Sequence, residues 1–207
     1  MRTPFIFLIC LWLATSLTAA YAEETPSPTN NNENSTDFIR TSCGTTLYPK
    51  LCYTSLSRYA SAIQQNPAQL ALVAMHVTLS KSKHMTTYIS NLTRQADYGA
   101  NPRTISALHD CFSNFGDAVD EINGSVKQMK NLGVGGGGDG QSLRFQLSNV
   151  QTWMSAALTD QETCTDGFED VPECPIKKDV CNKATYVKQH TSNALALINS
   201  YAAKVTP

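Results

Sequence analysis

A chain of 207 residues with 16 basic and 17 acidic side chains has no charge surplus of either sign. That balance gives no electrostatic case for nucleic acid or an anionic membrane surface as a partner. Hydrophobic residues make up 42% of the chain, enough for a single domain with a substantial core and too many for a disordered polymer.

The N-terminus carries a secretion pattern. Arg2 precedes an almost wholly apolar run from Phe5 to Leu17, and Ala20-Tyr21-Ala22 offers a small-x-small cleavage site. The run is shorter than the ~20 residues a membrane span needs. Residues 1–22 are therefore expected to be a signal peptide. Its removal takes Arg2 away and moves the formal charge from −1 to −2. The polar, proline-containing stretch 23–34 is expected to be a disordered leader.

Cys10 leaves with the signal. Six cysteines remain: Cys43, Cys52, Cys111, Cys164, Cys174 and Cys181. An even set behind a signal peptide points to disulfides, and six cysteines allow 15 pairings. Asn34, Asn91 and Asn123 each open a glycosylation sequon.

From Ser35 onward every periodic segment is helical. Gly44 and Pro49 break residues 35–65 into short helices. Asn66-Pro67 and Asn101-Pro102 each place a capping residue before a proline suited to the first helical position. They open helices running to about Tyr98 and about Leu132. In the second, Ile105, Leu108, Phe112, Phe115, Val119, Ile122, Val126 and Met129 form an apolar seam at 3–4 spacing. The glycine-rich run 133–140 is a loop. It is not a phosphate cradle, because no Gly-Lys-Ser/Thr follows it. Two further helices are expected over about 142–161 and 179–204. The fold class expected is all-α: an up-down-up-down four-helix bundle over 66–207, with short helices at 35–65 stapled to its end.

No catalytic constellation stands out in the sequence. His76, His84, His109 and His190 have no metal-ligand spacing and read as surface or boundary residues. There is no Gly-x-Ser-x-Gly elbow and no Cys-x-x-Cys. Asp110, Ser113, Asp117, Asp120 and Glu121 recur at helical spacing as an acidic and polar stripe. A solvated face is the plain reading of such a stripe, and a paired-carboxylate glycosidase would need a cleft that one helix does not supply. No cofactor or metal is expected, and the chain reads as a rigid surface for a partner rather than an enzyme.

Several blocks are more specific. Phe38-Ile39-Arg40-Thr41-Ser42-Cys43 leads through Thr46-Leu47-Tyr48-Pro49 to Cys52. Leu108-His109-Asp110-Cys111 precedes Asp117-Ala118-Val119-Asp120. Trp153-Met154-Ser155-Ala156-Ala157-Leu158-Thr159 runs into Thr163-Cys164-Thr165-Asp166-Gly167-Phe168, and Thr191-Ser192-Asn193-Ala194-Leu195-Ala196-Leu197 lies near the end. Together they resemble the plant invertase and pectin methylesterase inhibitor family over essentially all of the mature chain. The resemblance implies a disulfide-stapled four-helix bundle preceded by a small N-terminal helical hairpin (35–65), with disulfides Cys43–Cys52 and Cys111–Cys164. Cys174 and Cys181 depart from that four-cysteine pattern and are expected to form a third, local bridge, free thiols being the alternative.

The resemblance also implies a secreted cell-wall inhibitor that covers the pectin-binding cleft of pectin methylesterase. The contacts it implies are Ser113, Asp117, Asp120, Thr163 and Asp166. The sister branch inhibits acid invertase and carries Pro-Lys-Phe before its last helix. Here that place holds Pro175-Ile176-Lys177-Lys178, which favours the esterase. A helical lipid carrier would need more apolar positions than these seams provide. The pro-region of an esterase precursor would continue into a catalytic domain, which is not expected beyond Pro207.

Overall fold

The computed structural model describes residues 31–96, 101–132 and 140–206, and all regular structure in them is helical. The signal-peptide expectation for residues 1–22 and most of the leader lie outside these residues. Helices α1 (Asn31–Cys43), α2 (Pro49–Leu56) and α3 (Ala60–Ile63) form the N-terminal hairpin. A 3₁₀ turn at Ser57–Tyr59 joins the last two. Four long helices follow: α4 (Pro67–Ala96), α5 (Pro102–Lys130), α6 (Gly140–Asp166) and α7 (Pro175–Val205). Each packs on two neighbours in the cyclic order α4, α5, α6, α7, so α4/α7 and α5/α6 are opposite sides of a four-helix bundle.

Local chemistry sets the helix starts. Pro49, Pro67, Pro102 and Pro175 each occupy the first position of a helix, where the missing N–H costs nothing. Asn66 Oδ1 accepts from the N–H groups of Ala68 and Gln69, and Asn101 Oδ1 accepts from Arg103 N. Both expected caps are thus formed. Gln64 and Gln65 turn the chain from α3 into α4 in the left-handed region, at φ 47° and 59°.

Three helix boundaries differ from expectation. α1 begins at Asn31, inside the proposed leader, so Asn34 is an exposed helical residue and Ser35 is buried in the helix. α6 continues to Asp166, because the disulfide at Cys164 holds its last turn against α5. α7 starts four residues early, at Pro175, capped by Cys174 Sγ accepting from Lys177 N. The buried face of α5 is also rotated. Ala107, Cys111, Ala118 and Ser125 share the interior with Leu108, Phe115 and Ile122, and small side chains there let α6 approach closely. Ile105 and Val119 fall at the boundary, and Phe112 is 40% exposed.

The interior has two apolar clusters. One unites the hairpin, through Ile39, Leu56 and Ile63, with Leu70, Met75, Ile122, Leu147, Met154 and Ile198. The other gathers Met85, Ile89, Leu108, Phe115, Phe168, Val180 and Val187 at the opposite end. Between them Gln161 of α6 donates to Ser82 Oγ of α4 at 3.1 Å and accepts from Thr191 Oγ1 of α7 at 2.7 Å. All three side chains are fully buried. This hydrogen-bonded layer is satisfied only in one vertical alignment of three helices, so it specifies register where apolar packing alone is permissive.

Each cluster contains one disulfide, Cys43–Cys52 in the first and Cys111–Cys164 in the second. On the chain-entropy model they stabilise by about 3 and about 4 kcal/mol respectively. The expected third bridge is not formed, and Cys174 and Cys181 are free thiols. With Cys174 as the cap of α7, the two are separated by nearly two helical turns, roughly 10 Å of rise. A disulfide spans at most about 7 Å between Cα atoms.

Candidate functional site

The acidic stripe on α5 faces solvent. Asp110, Ser113, Asp117 and Asp120 are exposed. Ser113, Asp117 and Asp120 line one shallow groove between α4 and α5, together with Phe112, Gly116, Val119 and, across from them, Lys83, Thr86 and Thr87. Its volume is about 660 Å³. Gly116 leaves the groove floor open, since nothing stands within 4 Å of where its Cβ would be. Thr86 is fixed by donating to Ser82 O and, across the helix interface, toward Phe115 O.

Glu121 turns the other way, toward α6. Burial first, then the charge and hydrogen bond of Asp160, then the charge of Asp117, push its carboxyl up to about 7. Two carboxyls can share a hydrogen bond only if one holds a proton, which is the physical content of that shift. Glu121 Oε2 lies buried without a hydrogen-bond partner. The stripe is therefore two things: a solvated carboxylate face at Asp117 and Asp120, and a carboxyl pair on the α5–α6 seam.

Thr163 and Asp166 lie on α6, outside the groove. Both are exposed, and Thr163 Oγ1 donates to Thr159 O. The Cys111–Cys164 bridge sets their end of α6 level with the start of the stripe. The structure thus gathers Ser113, Asp117 and Asp120 and leaves Thr163 and Asp166 on the neighbouring helix. Sequence reasoning missed Phe112, assigning it to the core seam. Helical spacing admits both Phe112 and Ala118 to the interior, and the close packing of α6 selects the smaller side chain.

Other residues from the sequence reading resolve as framework. Asn193 and Thr191 are buried and bonded inside the bundle. Of the four histidines, His76, His84 and His109 are exposed as expected, whereas His190 is buried. It fills the inward position between Val187 and Ala194, edge-on to Tyr186. Burial, then the charge of Lys81, hold its pKa down at about 4. Of the sequon asparagines, Asn34 and Asn91 are exposed and Asn123 is half-buried. Among the described residues no group of His, Cys, Asp and Glu could hold a metal, and no helix is long and apolar enough to cross a membrane.

These features define a class: a disulfide-stapled four-helix bundle preceded by a short helical hairpin. The chain belongs to the plant invertase/pectin methylesterase inhibitor family, whose model matches residues 37–197. It is 43% identical to a 21 kDa protein of Daucus carota over 81% of this chain and 84% of that one. It is 39% identical to pectinesterase inhibitor 9 of Arabidopsis thaliana over 96% and 94%. The fold matches the crystal structure of a mutant form of a pectin methylesterase inhibitor from Arabidopsis with a TM-score of 0.58, at 21% identity, over 78% of this chain and 95% of that one.

Proposed function

We propose that the chain is a secreted inhibitor that binds pectin methylesterase one-to-one and covers its pectin-binding cleft. The supporting observation is the pairing of an exposed aromatic, Phe112, with the carboxylates of Asp117 and Asp120 in a single rigid groove. Aromatic anchors are enriched at the cores of protein interfaces, and charged groups suit the polar rim around them. Ser113 lies in the same groove, and Thr163 and Asp166 extend the face onto α6. Such a contact would bury on the order of 800 Å² per partner. Family membership and the names of the relatives support the same target, and cell-wall secretion with glycosylation at Asn34 or Asn91 fits it.

The test is a parallel titration of the purified protein against a plant pectin methylesterase and a plant acid invertase. Stoichiometric loss of esterase activity alone supports the reading. Loss of invertase activity alone moves the protein to the sister branch. An Asp117→Ala, Asp166→Ala double variant that inhibits as well as the parent removes these residues from the interface.

A further inference from the structure

The near-neutral total charge hides a division between the two sides of the bundle. α4 carries Lys81, Lys83 and Arg94 with no acidic residue, and α7 carries five lysines against Asp179 alone. On the opposite side α5 has four acids to three bases, and α6 has three acids to Arg144. The partner face proposed above lies on the acidic half. Lys83 borders that face from α4, and the α4–α7 side has no role in that reading.

A groove of about 520 Å³ runs along the α4–α7 side. Its floor is apolar, with Met85 and Val187, and its walls carry Tyr88 and Tyr186. Lys81 Nζ stands 4.8 Å from the centre of the Tyr186 ring, and Lys183 Nζ stands 5.3 Å from that of Tyr88. These contacts hold two long side chains that would otherwise wander, so their ammonium donors are preorganised along the groove. The single acid present, Asp179, is engaged by the Tyr88 hydroxyl and by Lys183 Nζ at 3.0 Å, so the groove keeps a net positive charge through Lys81, and Lys183 keeps N–H donors beyond the one aimed at Asp179. His84 and Asn182 add further hydrogen-bonding groups.

From this arrangement we infer that the α4–α7 groove binds a stretch of acidic polysaccharide, a polyuronate chain. Pyranose rings have apolar C–H faces that suit the floor and the tyrosines. Their hydroxyls suit Asn182 and His84, and carboxylates repeating along the polymer suit Lys81 and Lys183. A lipid surface would call for protruding apolar side chains, whereas Met85 and Val187 are recessed. The choice of polymer rests on the proposed function, because de-esterification of pectin is what exposes carboxylates. The inhibitor would then be retained on the product side of the reaction while its acidic face engages the enzyme.

The experiment measures binding of the full mature protein to polygalacturonate oligomers, without any esterase present. Expected is saturable binding that weakens as salt rises and is at least tenfold weaker for fully methyl-esterified oligomers. A Lys81→Gln, Lys183→Gln variant should lose at least tenfold in affinity. A Lys127→Gln, Lys130→Gln variant, which removes the same charge from α5, should stay within twofold of the parent. Tyrosine ring resonances of the unaltered protein should shift on titration, a readout independent of variant folding. Equal affinity of the two double variants, equal binding of esterified oligomers, or tighter binding to phosphatidylserine vesicles would overturn the inference. Concentration-dependent dimerisation abolished by Lys81→Gln would instead assign the groove to a second copy of the chain. A protein that binds polygalacturonate but leaves esterase untouched would defeat the proposed function and not the groove.

Discussion

The side-chain amide of Asn193 on α7 closes a two-bond ring with the backbone of Tyr48. Oδ1 accepts from Tyr48 N at 3.1 Å and Nδ2 donates to Tyr48 O at 3.0 Å. These residues are 145 apart in the chain, and Asn193 is almost fully buried. The ring docks the hairpin turn onto the bundle: it gives Tyr48 N its acceptor, and it gives Tyr48 O, which also takes the Cys52 N–H of α2, a second donor. Asn193→Ala should cost about 2–3 kcal/mol, seen as a lower denaturant midpoint with an unchanged slope. Asn193→Asp should cost at least as much at pH 7, since it buries a carboxylate beside a carbonyl. A midpoint unchanged in either variant would show that the hairpin is held by its apolar contacts alone.

Gln161 is the middle member of the polar layer. Gln161→Ala leaves Ser82 without its partner and opens a cavity, and should cost about 3 kcal/mol in chemical denaturation. Gln161→Leu keeps the volume and should cost less. If the layer fixes helix register, the leucine variant should show broadened side-chain resonances at a nearly unaltered helix content.

Glu121 and His190 titrate against each other. Glu121 is raised from 4.5 to about 7, so between these values the native state holds more protons than the unfolded chain. Its contribution to stability is therefore complete below about pH 4.5 and is lost as pH rises through 7. His190 is lowered from 6.5 to about 4, so the native state holds fewer protons in that window. Its contribution is complete above 6.5 and is lost as pH falls through 4. The melting temperature of the parent should change little from pH 4.5 to 6.5. Glu121→Gln should make it fall with acidification, and His190→Gln should make it rise. Parallel profiles for all three proteins would refute this.

Phe112 should matter to binding and little to folding. Phe112→Ala removes a ring already 40% exposed, so stability should drop by no more than about 1 kcal/mol. Esterase inhibition should weaken at least tenfold. Equal inhibition constants for variant and parent would place the interface elsewhere.

Two thiols should react with a disulfide reagent after denaturation without reductant, one each from Cys174 and Cys181. Burial pushes the Cys181 thiol above its usual range, so its alkylation in the native protein should be slow. Zero reactive thiols would restore the third bridge and require the first turns of α7 to unwind.

Much of this architecture is legible in the residues. Asn-Pro pairs mark helix starts because capping and proline geometry are local, and the α5 seam is periodic because one face must be buried. What is not legible depends on the neighbours. Phe112 and Ala118 both fit a 3–4 pattern, and only the close approach of α6 decides that the smaller side chain goes inside. His190 sits in a gap of the α7 apolar stripe, where periodicity suggests burial but residue type argues against it. The Thr191–Asn193 block is conspicuous in the sequence without revealing that it serves framework hydrogen bonds. The charges of α4 and α7 can be counted in advance, but their concentration on one side emerges only once these two helices are known to be adjacent.

A core cut by a hydrogen-bonded layer, with one covalent tie in each half, has a mechanical consequence. The halves are two clamps in series. Reducing Cys43–Cys52 slackens the end that carries the hairpin, while the end that carries the acidic groove keeps its own tie and its own packing. Amide exchange should then quicken in α1 and α2 well before it does in the first half of α5. The molecule can yield at one end without letting go at the other.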